Sequence, residues 1–204
     1  MPRGKRRVRD DGQENLLDIT GRLRTAPCVP ALREALKAWR IGGYKGVTDT
    51  TRLLLNHWFH TDHRLPNGRK FEYNYFQQHA VETLIYLYEV AKARSHKNLV
   101  ETFATRSDLR LLQYDEFPRY CVKMATGSGK TKVMSLAMAW QYFNAVAEGR
   151  DDFAKTFLVI APNVIVFERL RTDFEGGRIF QADPVIPNEL RVFWDFQCYM
   201  RGEG

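Results

Sequence analysis

A glycine-rich run that ends in lysine and threonine is the stretch of this sequence best suited to chemistry. It has the letters MATGSGKT and covers residues 124–131. Gly127 and Gly129 let the backbone approach an anion closely, Lys130 supplies a positive charge, and the hydroxyl of Thr131 is a ligand of the kind Mg²⁺ accepts. The residue types and their order predict a nucleoside triphosphate site in which backbone amides hold the phosphate oxygens.

Such a loop works only when a strand leads into it and a helix leads out of it. The segment 118–124 (PRYCVKM) has the composition of a short strand. Residues 129–149 then show apolar side chains at helical spacing, which predicts a well-buried helix. The positions expected to face the core are Val133, Leu136, Ala137, Trp140 and Phe143.

Further elements follow on both sides of the loop. Downstream, 155–162 (KTFLVIAP) and 189–196 (ELRVFWDF) predict two more strands, and between them 163–174 predicts a helix that is closed by two glycines. Alternation of strands and helices is typical of a parallel sheet in an α/β layer architecture. Upstream, the predicted helices are 31–40, 48–59 and 75–93, with a turn at 65–70 and a polar connector at 94–109.

The loop also carries a family resemblance. The letters MATGSGKT resemble motif I of superfamily 2 helicases and translocases, and with Lys123 they look most like the motor of type III restriction-enzyme subunits and related DEAD/DEAH-box proteins. The strict loop pattern has Gly or Ala where this chain has Met124, and in that family the methionine is ordinary. The segment 157–170 (FLVIAPNVIVFERL) resembles the family's motif Ia. Residues 73–90 resemble an upstream helix with an adenine-reading glutamine, matched by Gln77, with Gln78 as the near alternative.

The resemblance implies ATP and Mg²⁺ as cofactors and assigns roles to particular residues. Lys130 and Thr131 are the catalytic candidates, and Thr131 is the metal ligand. Motif Ia implies contacts with a nucleic-acid backbone, and we expect double-stranded DNA there. Gln77 has an alternative role, that of a surface glutamine at a helix start. The cofactor-binding candidates are Gln77, Ala125, Thr126, Gly127, Ser128, Gly129, Lys130 and Thr131, and the nucleic-acid candidates are Pro162, Asn163 and Arg169.

The predicted fold is therefore a P-loop NTPase (RecA-like) parallel sheet with flanking helices, incomplete and preceded by a mainly helical extension. We expect a basic, disordered arm at 1–30, a helical extension at 31–69, and the N-terminal part of a helicase ATP-binding domain at 70–204. The arm carries five basic residues against Asp10 within the first ten positions. The family's Asp-Glu box is absent after motif Ia, because Asp115 and Glu116 precede the loop and no acidic residue follows Asp195 directly.

The expected function is ATP binding as part of a DNA-dependent ATPase or translocase of a restriction-type system. A modification or specificity subunit is a candidate partner. The intact parent would hydrolyse ATP, whereas these residues alone would be weakly active or inactive. Three distant cysteines without a CxxC pair favour a reducing cytoplasm, and no segment has the apolar length of a membrane span.

Two other functions and one metal site remain open at this point. A self-contained P-loop phosphotransferase would use Asp115 or Asp195, and a non-catalytic nucleotide-binding module would use neither. The histidines at 57, 60 and 63 are spaced by three, so a metal site competes there with structural or surface roles, which we favour.

Overall fold

The computed structural model describes residues 27–65, 67–105 and 117–199. The basic run at the N-terminus and Asp115 lie outside these ranges. The described chain is mainly helical, and its elements are numbered here in chain order. They are α1 (Val29–Ile41), α2 (Asp49–His60), β1 (His63–Arg64), β2 (Lys70–Phe71), α3 (Tyr75–Ile85), α4 (His96–Phe103), α5 (Lys130–Ala147), α6 (Val164–Phe174) and α7 (Arg178–Ala182).

Three shorter helical segments complete the list. A π-helical turn continues α3, one 3₁₀ turn directly precedes α7, and a second 3₁₀ turn follows α7 further along the chain. Their bounds are Tyr86–Val90, Glu175–Gly177 and Asn188–Phe193. None of the helices in the described ranges combines the length and the apolar character that crossing a membrane requires.

The chain divides into two compact units. The first contains α1 and α4, which pack on each other through the buried side chains of Leu36, Trp39 and Phe103. Its α4 begins at an N-cap, where the Ser95 hydroxyl accepts a hydrogen bond from the Asn98 amide at 3.0 Å. We expected a polar connector at 94–109, and for residues 96–103 this was wrong, because the cap and an amphipathic face outweigh the polar composition and form α4.

The second unit contains the glycine-rich loop and is built around α5. Helices α2 and α3 both pack against α5. The side chains of Leu54, Ile85, Leu136 and Phe143 are fully buried at this contact. Burial of each such side chain contributes about 1.5–3 kcal/mol. Of the α5 positions expected to face the core, all but Ala137 are buried.

A buried polar network ties the start of α2 to α3 and α5. The Glu89 carboxylate, on the π-helical turn and 3% exposed, accepts hydrogen bonds from the Thr51 hydroxyl and the Trp140 indole, each at 2.6 Å, and from the Thr48 amide at 3.0 Å. Asn144 is fully buried and donates to the Thr51 hydroxyl at 2.8 Å. Because Thr48 is the N-cap of α2, the carboxylate also lies at the positive end of a helix dipole.

The predicted parallel sheet is not confirmed. The described residues form one two-stranded antiparallel hairpin, in which His63 pairs with Phe71 and Arg64 with Lys70. The three segments predicted as strands, 118–124, 155–162 and 189–196, belong to no β-ladder, and most of the last is the 3₁₀ turn Asn188–Phe193.

The physical reason is that a strand exists only where a second strand satisfies its backbone groups. The segment 155–162 is free of helix but has no strand beside it, and its apolar side chains consequently face outward. Leu158 is 86% exposed and Ile160 is 79% exposed. The apolar pattern that predicted a buried strand is therefore present in the sequence, but the described residues do not supply a partner for it.

Candidate nucleotide-binding site

The glycine-rich loop adopts a conformation that few residues other than glycine accept. Gly127 and Gly129 have φ angles of 77° and 76°, in the left-handed region. Between them the Ser128 hydroxyl donates to the Ala125 carbonyl at 2.7 Å, which closes the turn. Gly129 is the N-cap of α5, so the 18-residue helix begins at Lys130 as predicted.

The loop presents hydrogen-bond donors on an exposed part of the surface. In the part of the chain that the structure describes, the amides of Gly127, Gly129, Lys130 and Thr131 donate to no protein acceptor. The Lys130 ammonium crosses the loop and donates to the Ala125 carbonyl at 2.7 Å. Unpaired amides at the start of a long helix, together with an ammonium group, fit a bound phosphate group.

Thr131 occupies the second position of α5 and is half-buried. Within the described ranges its hydroxyl has no hydrogen-bond partner. A hydroxyl in this position fits a Mg²⁺ ion that is shared with the phosphates.

Gln77 is joined to the phosphate loop although it lies 51 residues upstream. Its side-chain amide donates to the Ser128 carbonyl at 3.0 Å, and its side-chain oxygen accepts from the Asn74 amide at 2.9 Å. The second bond belongs to a capping box at the start of α3. Gln77 is 3% exposed, so the alternative of a surface glutamine was wrong. Gln78 instead donates to Glu82 at 2.7 Å.

Gly129 has no room for a side chain. A Cβ atom there would meet the Gln77 Nε2 atom, whereas a Cβ on Gly127 would meet nothing within 4 Å. The two glycines have nearly the same φ, so they form a matched pair that differs in the room available for a Cβ atom.

We therefore expect Gly129→Ala to weaken Mg·ATP binding roughly tenfold more than Gly127→Ala. Both variants carry the left-handed backbone cost of about 1–2 kcal/mol, but only the first displaces Gln77 from Ser128. Fluorescence titration with a labelled ATP analogue measures the difference. Equal affinities for the two variants would show that the contact between Gln77 and Gly129 has no part in the site.

The residues expected to contact nucleic acid lie at the start of α6. Asn163 caps this helix through its side-chain oxygen, which accepts from the Val166 amide at 3.0 Å. Pro162 and Arg169 are exposed. Arg171 has a different role, because it pairs with Glu168 at 4.0 Å and Glu175 at 3.7 Å. No hydrogen bond or ion pair in the described residues joins this group to the glycine-rich loop.

The three histidines do not form a metal site. No group of three or more His, Cys, Asp or Glu side chains in the described ranges is placed to hold an ion. The His60 ring instead lies 3.3 Å from the Tyr44 hydroxyl, and the His57 and His63 rings meet edge to face with their centroids 4.5 Å apart. These contacts agree with the structural roles that we favoured.

Burial, with a further contribution from the nearby His63, lowers the pKa of His57 from 6.5 to about 4. Because the unfolded chain then binds a proton that the folded chain does not, stability falls as the pH drops from about 6.5 to about 4. We expect His57→Gln to flatten this part of the stability curve, measured by urea unfolding at several pH values. An unchanged slope in the variant would assign the acid sensitivity to other groups. His96→Gln is the control.

Two features of this region were not expected from the sequence. The bond from Gln77 to Ser128 joins residues far apart in the chain, and only the capping-box spacing of Asn74 and Gln77 gave a local signal. Lys132 forms an ion pair with Asp183 and gave no signal at all, because neither residue belongs to a motif.

A glycine-rich loop that opens a long helix, with lysine at the first helical position, defines the P-loop NTPase class. The family model described as type III restriction enzyme, res subunit, matches residues 70–189, which is more than half of the 204 residues. The chain belongs to this family, and the resemblance found in its sequence is confirmed. No curated protein and no solved structure matches it.

Proposed function

We propose that this chain is the ATP-binding part of a DNA-dependent ATPase or helicase-type translocase of a cytoplasmic restriction system. The observation that carries the proposal is the glycine-rich loop, which brings two left-handed glycines, unpaired amides and Lys130 together at the start of α5. Membership of the res-subunit family supports the same function.

ATP and Mg²⁺, when bound, supply the phosphoryl group and neutralise its charge. The loop from Ala125 to Thr131 holds the phosphate oxygens through its amides. Lys130 moves its ammonium from the Ala125 carbonyl, now 2.7 Å away, to the β- and γ-phosphates. This exchange replaces a neutral acceptor by charged ones, which strengthens the hydrogen bonds of the ammonium. Thr131 ligates Mg²⁺.

Gln77 reads the adenine in this proposal. Its carboxamide has two donors and two acceptor positions, and the two hydrogen bonds to Ser128 and Asn74 use one of each. The remaining donor and acceptor match the paired edge of adenine. The bond to Ser128 keeps the glutamine beside the phosphate loop, so base and phosphates are held by one connected group.

DNA binds at the start of α6. The Asn163 cap uses the amide of Val166, which leaves the first amides of the helix for a backbone phosphate. Pro162 shapes the entry to the helix and Arg169 adds charge. Contacts of this kind position the double helix without reading its sequence, which agrees with a translocase that depends on a separate modification or specificity subunit.

The test is nucleotide binding and turnover by the 204-residue chain. We expect it to bind Mg·ATP weakly and to hydrolyse it slowly, because the sequence has no Asp-Glu box after motif Ia to position metal and water. Brisk hydrolysis without DNA would instead support the self-contained phosphotransferase. Failure to bind Mg·ATP at any concentration tested would remove the basis of the proposal.

A further inference from the structure

Lys132 lies in the first turn of α5, two residues after Lys130, and its ammonium contacts residues outside the glycine-rich loop. Its ammonium forms an ion pair with the Asp183 carboxylate and lies 5.0 Å from the centre of the Phe71 ring. Its aliphatic stem covers Gly129, since the Lys132 Cδ atom is 3.6 Å from where a Cβ on that glycine would be. Gln77 covers the same glycine, so the last residue of the loop is enclosed by two side chains.

Asp183 is held firmly in place. It follows α7, and its carbonyl accepts a hydrogen bond from the Val185 amide at 2.8 Å. Val185 is fully buried, and its own carbonyl accepts from the Trp58 indole at 2.7 Å. The Asp183 side chain is only 12% exposed, so solvent screens its pairing with Lys132 weakly.

The charge of Lys132 needs such a partner. Lys130 and Lys132 both occupy the first turn of α5, which contains no acidic residue. Cations at the N-terminus of a helix are unfavourable because the helix dipole is positive there. Asp183 neutralises the second of these cations and fixes the direction of its side chain.

We propose that Lys132 and Asp183 are a positioning pair for the nucleotide site. By holding the first turn of α5 against Asp183 and Phe71, the pair keeps Gly129 and the following amides in the conformation that accepts the phosphates. This inference rests on the proposed function, because it assigns a role within the same site. Neither residue contacts the nucleotide.

The direction in which one substitution changes the affinity for Mg·ATP separates the positioning role from a purely electrostatic effect. Asp183→Asn removes a negative charge near a site for an anionic ligand, so electrostatics alone would tighten Mg·ATP binding. Loss of positioning would weaken it instead, by roughly tenfold, as is typical when a supporting contact of a ligand-binding group is removed. Binding is measured on the 204-residue chain by fluorescence titration with a labelled ATP analogue and Mg²⁺.

Four further variants complete the experiment. Lys132→Met is expected to weaken binding as much as Asp183→Asn, and the double variant to be no worse than either alone. Under electrostatics alone the two single effects would have opposite signs and cancel in the double variant. Lys132→Arg keeps the ion pair and is expected to bind within about twofold of the wild type. Lys97→Met, an exposed lysine of the first unit that pairs with Glu101 at 3.8 Å, controls for net charge.

Unchanged or tighter binding by Asp183→Asn would overturn the inference while leaving the proposed function intact, provided that the wild type binds. If neither the wild type nor Lys97→Met binds Mg·ATP, the proposed function fails first. A melting temperature measured for each variant identifies any that does not fold. If Asp183→Asn or Lys132→Met does not fold, Lys132→Arg is compared with the wild type instead. Weak binding by this charge-preserving variant would also contradict the inference.

Discussion

Lys130→Ala is expected to lower the affinity of the chain for Mg·ATP by about a hundredfold. The ammonium of Lys130 donates to the Ala125 carbonyl of the loop at 2.7 Å, and in the proposed site it would turn to the phosphates. A hydrogen bond to a charged group contributes about 1.5–3 kcal/mol, and the proposal gives this lysine two phosphate acceptors, so a loss near 3 kcal/mol is expected. Isothermal titration calorimetry or a labelled nucleotide measures it.

Lys123→Ala is the matched control for this variant. It removes the same charge seven residues earlier, from an exposed position that precedes the loop. We expect it to bind Mg·ATP within about twofold of the wild type, because exposed charges at a distance are screened. A similar loss in both variants would mean that the loop attracts nucleotide only through general positive charge.

Glu89→Ala is expected to destabilise the second unit by about 3–5 kcal/mol. The carboxylate accepts from the Thr48 amide, the Thr51 hydroxyl and the Trp140 indole, and alanine leaves the last two donors buried, and the Thr48 amide half-buried, without this acceptor. Each such donor costs about 1–3 kcal/mol. For a chain of this size the melting temperature falls by roughly 2–4 °C for each kcal/mol, so a decrease of about 10 °C is expected in thermal unfolding.

Glu101→Ala is the control, since this glutamate is exposed and its ion pair with Lys97, at 3.8 Å, lies on the surface. We expect it to change stability by less than about 1 kcal/mol. Glu89→Gln should fall between the two, because its oxygen can still accept while its amide meets a donor. A Glu89→Ala variant as stable as the wild type would show that the network does not hold α2 to α3 and α5.

The local signals in the sequence predicted helices well. The 3.6-residue spacing of apolar side chains placed α5 and α6 close to their observed bounds, and the observed N-caps Thr48 and Asn163 are the first residues of the predicted helices 48–59 and 163–174. The phosphate loop was predictable for the same reason, since its geometry depends on glycines and a helix start that are adjacent in the chain.

The remaining features depend on residues far apart in the chain. Segment 155–162 has the composition of a buried strand, but strand formation depends on a partner that composition does not show. The Glu89 network could not be predicted either, because the sequence around Glu89 does not show that Thr48 and Trp140 donate hydrogen bonds to it. Gln77 lies between these cases, since its capping box is local and its bond to Ser128 is not.

The central claim, that this loop holds the phosphates of ATP, is tested most directly by nuclear magnetic resonance. Backbone amide resonances of the ¹⁵N-labelled chain are followed while Mg·ATP is added. We predict that the amides of Gly127, Gly129, Lys130 and Thr131 show the largest shifts, and that adding adenosine without phosphates leaves them in place. Saturable binding of Mg·ATP that moves other amides and leaves these four unchanged would contradict the account.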